Sequence, residues 1–340
     1  MLNDKSILIT GGTGSFGNAF TKYVLDNYSP RKVIIYSRDE YKQFVMKNKF
    51  QELGNASDKD YLSKMRFFIG DVRDRVRVQR AFSDVDYVVH AAALKQVPAC
   101  EYNPMEAIKT NINGAMNIID AALDNGVQKV VALSTDKAVN PVNLYGGTKL
   151  VSDKLFIAAN AYRGQYGTIF SVVRYGNVAG SRGSVIPFFK NLIENGATEL
   201  PITDFRMTRF WISLEQGIEL VIKALAEAQG GETFISKIPS FKVSDLATAM
   251  APNAKQFEIG IREGEKLHEC MVPSSDSATT YEYPSNYVIY PNMEWCDISN
   301  IDLKGGVKVP FGFVYDSGLN SEWLSVQDLQ AKLSAMEIKY

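Results

Sequence analysis

A glycine pattern close to the start of the chain, Gly11-x-x-Gly14-x-x-Gly17, constrains the fold more than any other feature. It follows a short apolar run at 5–12, KSILITGG, and opens a stretch with helical spacing at 16–27. A turn between a strand and a helix brings backbone N–H groups and the positive end of the helix dipole to an anion. The spacing therefore predicts a dinucleotide phosphate site made by Gly11, Thr13, Gly14, Ser15, Phe16 and Gly17.

Strand-like and helix-like stretches alternate through the first half of the chain. Apolar runs predict strands at 32–39, 65–71, 86–93, 129–136 and 168–178, and helical spacing predicts long helices at 104–126 and 143–167. Such alternation is typical of βαβ units in a parallel, doubly wound sheet, which binds ligands at the carboxyl ends of its strands.

After about residue 178 the alternation loosens, and helices are predicted at 184–195, 213–229 and 243–250. We therefore expect an α/β chain with a Rossmann-type nucleotide-binding domain over 1–178. Part of 209–240 would complete that domain, and a smaller α/β domain over 179–340 would mainly bind substrate.

Composition and charge argue against several classes of function. The 37 Lys and Arg residues balance 38 Asp and Glu residues, so the chain has no basic footprint for nucleic acid. Three cysteines and two histidines suggest neither a disulfide framework nor a metal site. No apolar run approaches the roughly 18–20 residues of a membrane span, and no signal peptide is evident. We expect a soluble cytoplasmic protein without a membrane partner.

The end of the second predicted strand bears on the form of the cofactor. An NAD site favours an acidic residue there, whereas this chain has Ser37 and Arg38, and an arginine suits a 2′-phosphate. NADP is therefore favoured over NAD, although Asp39 keeps NAD open. Further cofactor contacts are expected from residues after the third and fourth strands, namely Asp71, Val72, Ala91 and Lys95.

Tyr145 and Lys149 form a Tyr-x-x-x-Lys pair, one helical turn apart on one face. A lysine cation can lower the pKa of the phenol and hold the nicotinamide ribose. The phenolate can then remove a hydroxyl proton as hydride leaves for the cofactor, and Thr135 can bind the same hydroxyl. The pair predicts hydride chemistry, for which the adjacent Asp136 and Lys137 have no obvious use.

Several segments together resemble a known family: TGGTGSFG, YSRDE, GDVRD, HAAALKQVP, STDKA, LYGGTK, RYGNVAGSRGSVIPFF, ITDFRMTRFW and IREGEKLHE. The chain resembles the extended short-chain dehydrogenases/reductases from about residue 5 to residue 330. Within them it is similar to the inverting UDP-N-acetylglucosamine 4,6-dehydratases that begin pseudaminic-acid synthesis, which serves flagellin glycosylation in some bacteria. The resemblance implies UDP-N-acetylglucosamine as substrate and UDP-2-acetamido-2,6-dideoxy-beta-L-arabino-hex-4-ulose as product. It also implies a homo-oligomer, either a dimer or a hexamer.

This resemblance gives Asp136 and Lys137 a role. Oxidation at C4 of the sugar makes the C5 proton acidic, and water must then leave across C5 and C6. Retaining dehydratases have an Asp-Glu pair here, so Lys137 becomes the candidate base and Asp136 the candidate acid for the C6 hydroxyl. A neutral Lys137 requires a lowered pKa, which we expect from a desolvated site beside Lys149.

A sugar-nucleotide diphosphate needs cationic and amide partners, and the second half of the chain offers them. Arg262 and Asn177 resemble family residues that contact the nucleotide. The expected substrate contacts are Lys95, Asn177, Arg182, Arg206, Arg262, Tyr315 and Asn320.

Other functions stay open on the sequence alone. A UDP-sugar epimerase needs Tyr145 and Lys149 but not Asp136 and Lys137, and a retaining 4,6-dehydratase is chemically close. An NADP-binding regulator would be catalytically silent, yet such a protein usually loses the tyrosine or the lysine. His90, at the end of an apolar strand, is expected to be a core residue and not a catalyst.

Overall fold

A computed structural model describes residues 1–165, 167–181, 183–296 and 298–336. Its centre is a ten-stranded sheet in which seven parallel strands lie in the order β3-β2-β1-β4-β5-β6-β9. Three antiparallel strands, β14, β13 and β15, extend the sheet beyond β9. The ten strands are β1 Ser6–Thr10, β2 Lys32–Ser37, β3 Met65–Ile69, β4 Tyr87–His90, β5 Lys129–Thr135, β6 Ile169–Tyr175, β9 Thr233–Ser236, β13 Thr280–Glu282, β14 Asn286–Ile289 and β15 Val307–Lys308.

Helices cover both faces of this sheet, and the sheet separates two large apolar clusters. Alternating burial is not seen in β1, whose five residues are all buried, because a parallel strand is covered on both faces. The α/β Rossmann-type fold is thus confirmed. The helices are α1 Ser15–Asn27, α2 Glu40–Ser57, α3 Arg75–Ala81, α4 Val97–Tyr102, α5 Pro104–Ile108, α6 Gly114–Asp124, α7 Leu144–Ala158, α8 Val185–Glu194, α9 Leu214–Glu227, α10 Val243–Met250 and α11 Val326–Ala335.

The second half of the chain forms three two-stranded sheets besides its part of the central sheet. These small sheets pair β8 with β10, β7 with β11, and β12 with β16. Helices α8, α9 and α10 fall within the ranges predicted from sequence. The small-sheet strands are β7 Glu199–Ile202, β8 Thr208–Phe210, β10 Ser240–Lys242, β11 Lys255–Glu258, β12 Cys270–Val272 and β16 Tyr315–Asp316.

The helix predicted over 104–126 is interrupted. Between α5 and α6 the backbone forms a π-helical segment, Lys109–Asn113. Within it, the buried Asn111 accepts from the backbone N–H of Leu94 at 2.8 Å and donates to the carbonyl of Leu94 at 2.9 Å. It also donates to the hydroxyl of Thr148 at 3.0 Å. The widened turn therefore ties the loop after β4 to α7.

The division at residue 178 stays a prediction. In the structure β9 lies beside β6, and the strands from β13 to β15 also join the central sheet. Over the described ranges of the chain, no helix is both long enough and apolar enough to cross a bilayer.

Candidate active site

The turn between β1 and α1 leaves room for an anion. Gly11 has a φ of +65°, and a Cβ on it would lie 2.9 Å from the Cα of Ala92. A Cβ on Gly17 would collide with the carbonyl of Gly12, so only glycine lets the helix pack there. Gly14 caps α1 without a side chain, which leaves the first-turn N–H groups of that helix uncovered. This geometry fits the diphosphate of a dinucleotide.

His90, at the end of β4, belongs to the core beneath this turn. Its Nδ1 lies 2.8 Å from the hydroxyl of Thr10, and the ring is buried. Burial and then the charge of Lys149 lower the pKa of His90 to about 3. The expectation of a core histidine is confirmed. Ala91 continues the chain above it, with its N–H 3.2 Å from the carbonyl of Thr10.

At the end of β2, Arg38 and Asp39 have different environments. Asp39 caps α2 by accepting from the backbone N–H of Lys42 at 2.9 Å, and this hydrogen bond lowers its pKa. The side chain of Arg38 is 54% exposed, and its guanidinium lies 3.6 Å from the carboxylate of Asp71. The carboxylate of Asp39 is therefore occupied as a helix cap, whereas the Arg38 side chain faces solvent directly after β2.

Three other predicted cofactor residues lie near Arg38. The Ser37 hydroxyl accepts from the amide of Gln43 at 3.3 Å. Burial alone would raise the pKa of Asp71, but hydrogen bonds from Arg73 lower it on balance. Val72 is buried against the helix layer.

Tyr145 and Lys149 are both buried near the start of α7. Asn143 caps this helix by accepting from the N–H of Gly146 at 2.8 Å. Burial raises the pKa of Tyr145 to about 12, and the cation that lowers it most is Lys137. The role of Lys149 in lowering this pKa stays a prediction, since burial raises the pKa of Tyr145 on balance and Lys137 is the cation that opposes burial.

Burial also acts on Lys149. Burial lowers the pKa of Lys149, and the nearby Asp153 opposes this effect only in part. Asp153 is engaged elsewhere, since it accepts from the hydroxyl of Ser134 at 2.5 Å and lies 3.7 Å from the guanidinium of Arg174.

Asp136 and Lys137 form the turn that follows β5. The Thr135 hydroxyl donates to Asp136 Oδ1 at 2.9 Å, and Lys137 Nζ donates to the same oxygen at 3.2 Å. Lys137 also donates to Asn177 Oδ1 at 3.3 Å. The end of β5 therefore brings an acid, an amine and an amide together beside the Tyr145 phenol.

The predicted lowering of the Lys137 pKa is wrong for this structure. Burial alone would lower it, but the carboxylates of Asp136 and Glu269 raise it on balance. Glu269 was missed, although it ends the segment IREGEKLHE. Its Oε1 lies 3.5 Å from Lys137 Nζ. A glutamate directly before the apolar run of β12 was the available signal.

The segment 261–269 lies against the start of α7, the helix that carries Tyr145 and Lys149. Asn143 donates its amide to the carbonyl of Gly264 at 2.8 Å. Lys266 donates to the carbonyl of Val139, just after the Asp136–Lys137 turn. Arg262 is exposed within this segment, and its contact with a nucleotide stays a prediction.

The other predicted substrate-binding residues differ in exposure and in the groups that they contact. Lys95 is exposed as a whole residue, yet partial desolvation of its amine and then repulsion by Lys137 lower its pKa. The Arg206 side chain is 74% exposed and pairs with Asp204 at 2.7 Å. Arg182 lies outside the described residues.

Tyr315 and Asn320 both contact Ile238. The Tyr315 hydroxyl donates to the carbonyl of Ile238 at 2.9 Å and accepts from its N–H at 2.8 Å. Asn320 donates to the same carbonyl at 2.9 Å. These bonds satisfy the tyrosine hydroxyl within the protein, and a nucleotide contact for either residue stays a prediction.

A family model described as "Polysaccharide biosynthesis protein" matches residues 7–291. The chain is 59% identical over 334 residues to the UDP-N-acetylglucosamine 4,6-dehydratase (inverting) of Campylobacter jejuni subsp. jejuni serotype O:2, with 97% of each chain covered. It is 45% identical over 345 residues to a UDP-glucose 4-epimerase of Rickettsia prowazekii, covering 99% of this chain and 97% of that one.

Among solved structures, the X-ray structure of Pen from Bacillus thuringiensis is similar over the full length of both chains. Its TM-score is 0.89 and its sequence identity 36%. The arrangement of both halves is therefore shared with a solved protein.

Proposed function

The chain belongs to the polysaccharide biosynthesis protein family, a group of extended short-chain dehydrogenases/reductases, and from this premise we propose that it is an inverting UDP-N-acetylglucosamine 4,6-dehydratase. It is an enzyme, and relatives named 4,6-dehydratases are hydro-lyases. The observation that carries the proposal is the buried Asp136–Lys137 pair, which lies beside Tyr145 and has no task in simple alcohol oxidation.

A nicotinamide cofactor fits the first half of the chain. The glycine turn would hold its diphosphate, and Ala91 would lie beneath its ribose. We favour NADP over NAD because Arg38 is available to a 2′-phosphate, whereas the carboxylate of Asp39 already caps α2. Such a cofactor supplies hydride acceptance at C4 of the sugar and hydride return at C6.

Tyr145 would perform the first proton transfer. Its phenolate removes the proton of the C4 hydroxyl, while Thr135 accepts or donates a hydrogen bond at the same oxygen. The positive charge of Lys137 favours the phenolate, because it lowers the pKa of Tyr145 against the effect of burial. The C4 carbon then becomes a ketone, and the C5 proton becomes acidic.

Asp136 and Lys137 would perform the elimination. Lys137 passes a proton to Asp136 across their 3.2 Å contact, which leaves a neutral amine and a protonated carboxyl. The amine removes the C5 proton, and the carboxyl protonates the departing C6 hydroxyl, which leaves as water. One internal transfer thus prepares both the base and the acid.

A solvent proton delivered to C5 on the face opposite to its removal would invert that centre, and Tyr145 would release to solvent the proton that it took from the C4 hydroxyl. The support for inversion is Lys137, which stands where retaining enzymes have glutamate, together with the name of the Campylobacter jejuni relative. The product would be the 4-keto sugar that starts pseudaminic-acid synthesis, as the sequence resemblance implies.

Substrate binding and assembly complete the proposal. Asn177 and Lys95 are close to Lys137 and would contact the sugar, and Arg262 would reach the diphosphate from the segment 261–269. We also propose a homo-oligomer, because exposed apolar side chains lie on α4 to α7, including Tyr102, Met105, Met116 and Val151.

A UDP-sugar 4-epimerase is the second candidate. The 45% identical relative carries that name, and an epimerase needs Tyr145 and Lys149 alone. Asp136 and Lys137 would then be an ion pair without a task. The dehydratase uses both side chains, so we prefer it.

The deciding experiment incubates the protein with UDP-N-acetylglucosamine in deuterated water and follows the product by NMR and mass spectrometry. Loss of one water, deuterium at C5 and the L-arabino configuration would support the proposal. A product of unchanged mass with inverted C4 would establish an epimerase. Dehydration with C5 retained would contradict the assignment of Lys137 while leaving the fold and the cofactor site intact.

A further inference from the structure

Glu269 is a buried carboxylate for which the reaction described above has no task. It directly precedes β12, and only 2% of the residue is exposed. Its Oε1 lies 3.5 Å from Lys137 Nζ, and its Oε2 has no hydrogen-bond partner in the described part of the chain. Burying an incompletely bonded carboxylate is costly unless cations face it. Its position therefore calls for an explanation.

Cations face Glu269 from three separate elements. Arg209 of β8 places its Nε 3.7 Å from Oε1, and Lys266 places its Nζ 4.0 Å from Oε2. Lys137, from the turn after β5, is closer than either. Burial and repulsion by Asp136 raise the pKa of Glu269, while these cations oppose the rise.

Lys137 is in turn surrounded by charge. The amine has two carboxylates within 3.5 Å, one from its own turn and one from Glu269. Arg209 opposes their effect, and the phenol of Tyr145 adds to it. The titratable and charged groups that face Lys137 are Lys95, Asp136, Tyr145, Arg209 and Glu269.

We propose that Glu269 is a positioning residue that keeps Lys137 charged and directed towards Tyr145 in the resting site. In this state Lys137 acts as a cation that favours the Tyr145 phenolate. The amine becomes a base only after oxidation at C4, when its proton moves to Asp136. Glu269 thus keeps the amino group of Lys137 a cation until C4 is oxidised, after which the amine can act as a base. This catalytic role depends on the proposed dehydratase function.

The charge relationship can be tested without any substrate. Acetic anhydride reacts with neutral amines, so the rate at which Lys137 is acetylated at a fixed pH reports its neutral fraction. Lys255, which is 75% exposed, is an internal reference in the same digest. Using the 340-residue protein saturated with NADP, we expect the acetylation of Lys137 to reach half of its maximal rate at a higher pH than that of Lys255.

The variant Glu269→Gln keeps the size of the side chain and removes its charge. We expect the acetylation of Lys137 relative to Lys255 to rise about tenfold for each unit by which its pKa falls. Glu232→Gln is the matched control, because Glu232 is another buried glutamate with a raised pKa, and it accepts from backbone N–H groups just before β9. That control should leave the labelling of Lys137 unchanged.

Unchanged labelling of Lys137 in Glu269→Gln would overturn the proposal. Should that variant fail to fold, the wild-type protein still decides when acetylation is followed as a function of pH. The proposal is contradicted if Lys137 reaches half of its maximal acetylation rate at a pH equal to or below that of Lys255. The pH profile of deuterium entry at C5 gives the catalytic test, and its acid limb should move to lower pH in Glu269→Gln with little change in KM. A labelling shift without any dehydration by the wild type would reject the dehydratase function and leave the role of Glu269 standing.

Discussion

The site contains the buried Lys149 and the half-buried Lys137, and the surroundings of the two lysines differ in kind. The tyrosine–lysine region consists of Tyr145, Lys149 and Asp153, all on α7. The aspartate–lysine region consists of Asp136, Lys137 and Glu269, which come from a turn and a distant strand. The pKa of Lys149 is lowered by burial, whereas that of Lys137 is raised on balance.

The difference teaches that burial does not decide the charge of an amine by itself. Asp153 is bonded to Ser134 and Arg174, so it offsets the burial of Lys149 only in part. Lys137 instead has carboxylate oxygens at 3.2 and 3.5 Å. Direct ion pairs in a poorly solvated site therefore outweigh the cost of desolvation. Two lysines of one site can thus have pKa values shifted in opposite directions, which suits them to different chemical roles.

Tyr145→Phe should have the largest effect of all. Without the phenol neither region can act, because C5 becomes acidic only after the C4 hydroxyl has been oxidised. We expect turnover to fall about 10⁴-fold, at the upper end for a general base. Product NMR should find no deuterium at C5. Rapid deuterium entry in this variant would mean that C5 is activated without C4 oxidation.

Lys137→Gln should separate the two regions. The C4 oxidation slows, because the cation that favours the Tyr145 phenolate is lost, but the elimination is blocked more strongly. Reduced cofactor should therefore accumulate on the enzyme and be visible by its absorbance, while dehydration falls about 10³-fold. Lys255→Gln, at an exposed ion pair, is the control and should behave as wild type. Deuterium entry at the wild-type rate in Lys137→Gln would remove this lysine as the base.

Arg38→Ala tests the cofactor side of the comparison. Loss of a charged hydrogen bond to a 2′-phosphate costs about 1.5–3 kcal/mol, which corresponds to roughly a 10- to 100-fold weaker Kd for NADP. The Kd for NAD should hardly change, and calorimetric titration measures both. Arg31→Ala, on a surface ion pair with Asp84, is the matched arginine control. Equal losses for the two cofactors would contradict the assignment of Arg38.

Asn143→Ala should have the smallest effect on turnover and should perturb both the tyrosine–lysine region and the aspartate–lysine region. It removes the cap of α7 and the bond to the carbonyl of Gly264. We expect a loss of about 1 kcal/mol in the free energy of unfolding and a several-fold rise in KM. Ser213→Ala removes the cap of α9 at a comparable cost and should leave KM unchanged. An unchanged KM in Asn143→Ala would mean that this bond does not order the segment 261–269.

The sequence was sufficient wherever neighbouring residues form the feature. The glycine turn, the strands of the first half and the Tyr145–Lys149 spacing depend on local periodicity, and the structure places them as expected. Arg38 and Asp39 are adjacent, yet only the structure shows that Asp39 caps a helix. The sequence did not indicate which of the two was available.

Features built from distant segments could not be predicted. Glu269 reaches Lys137 across more than a hundred residues, so no spacing rule connects them. The Lys137 pKa is raised first by the adjacent Asp136 and then by Glu269, so the sequence-based direction failed only partly because of this distant contact. The π-helical segment was also missed, because the apolar spacing of 104–126 is equally compatible with one continuous helix.

The central sheet has a consequence for how this molecule unfolds. Its strand order joins distant parts of the chain, since β9, from the second half, bonds to β6 of the first, and β14 extends the sheet from β9. Neither half can lose its structure without breaking sheet hydrogen bonds of the other. Thermal denaturation should therefore be a single cooperative transition, and removal of the chain beyond residue 279 should leave β9 as a bare edge prone to self-association.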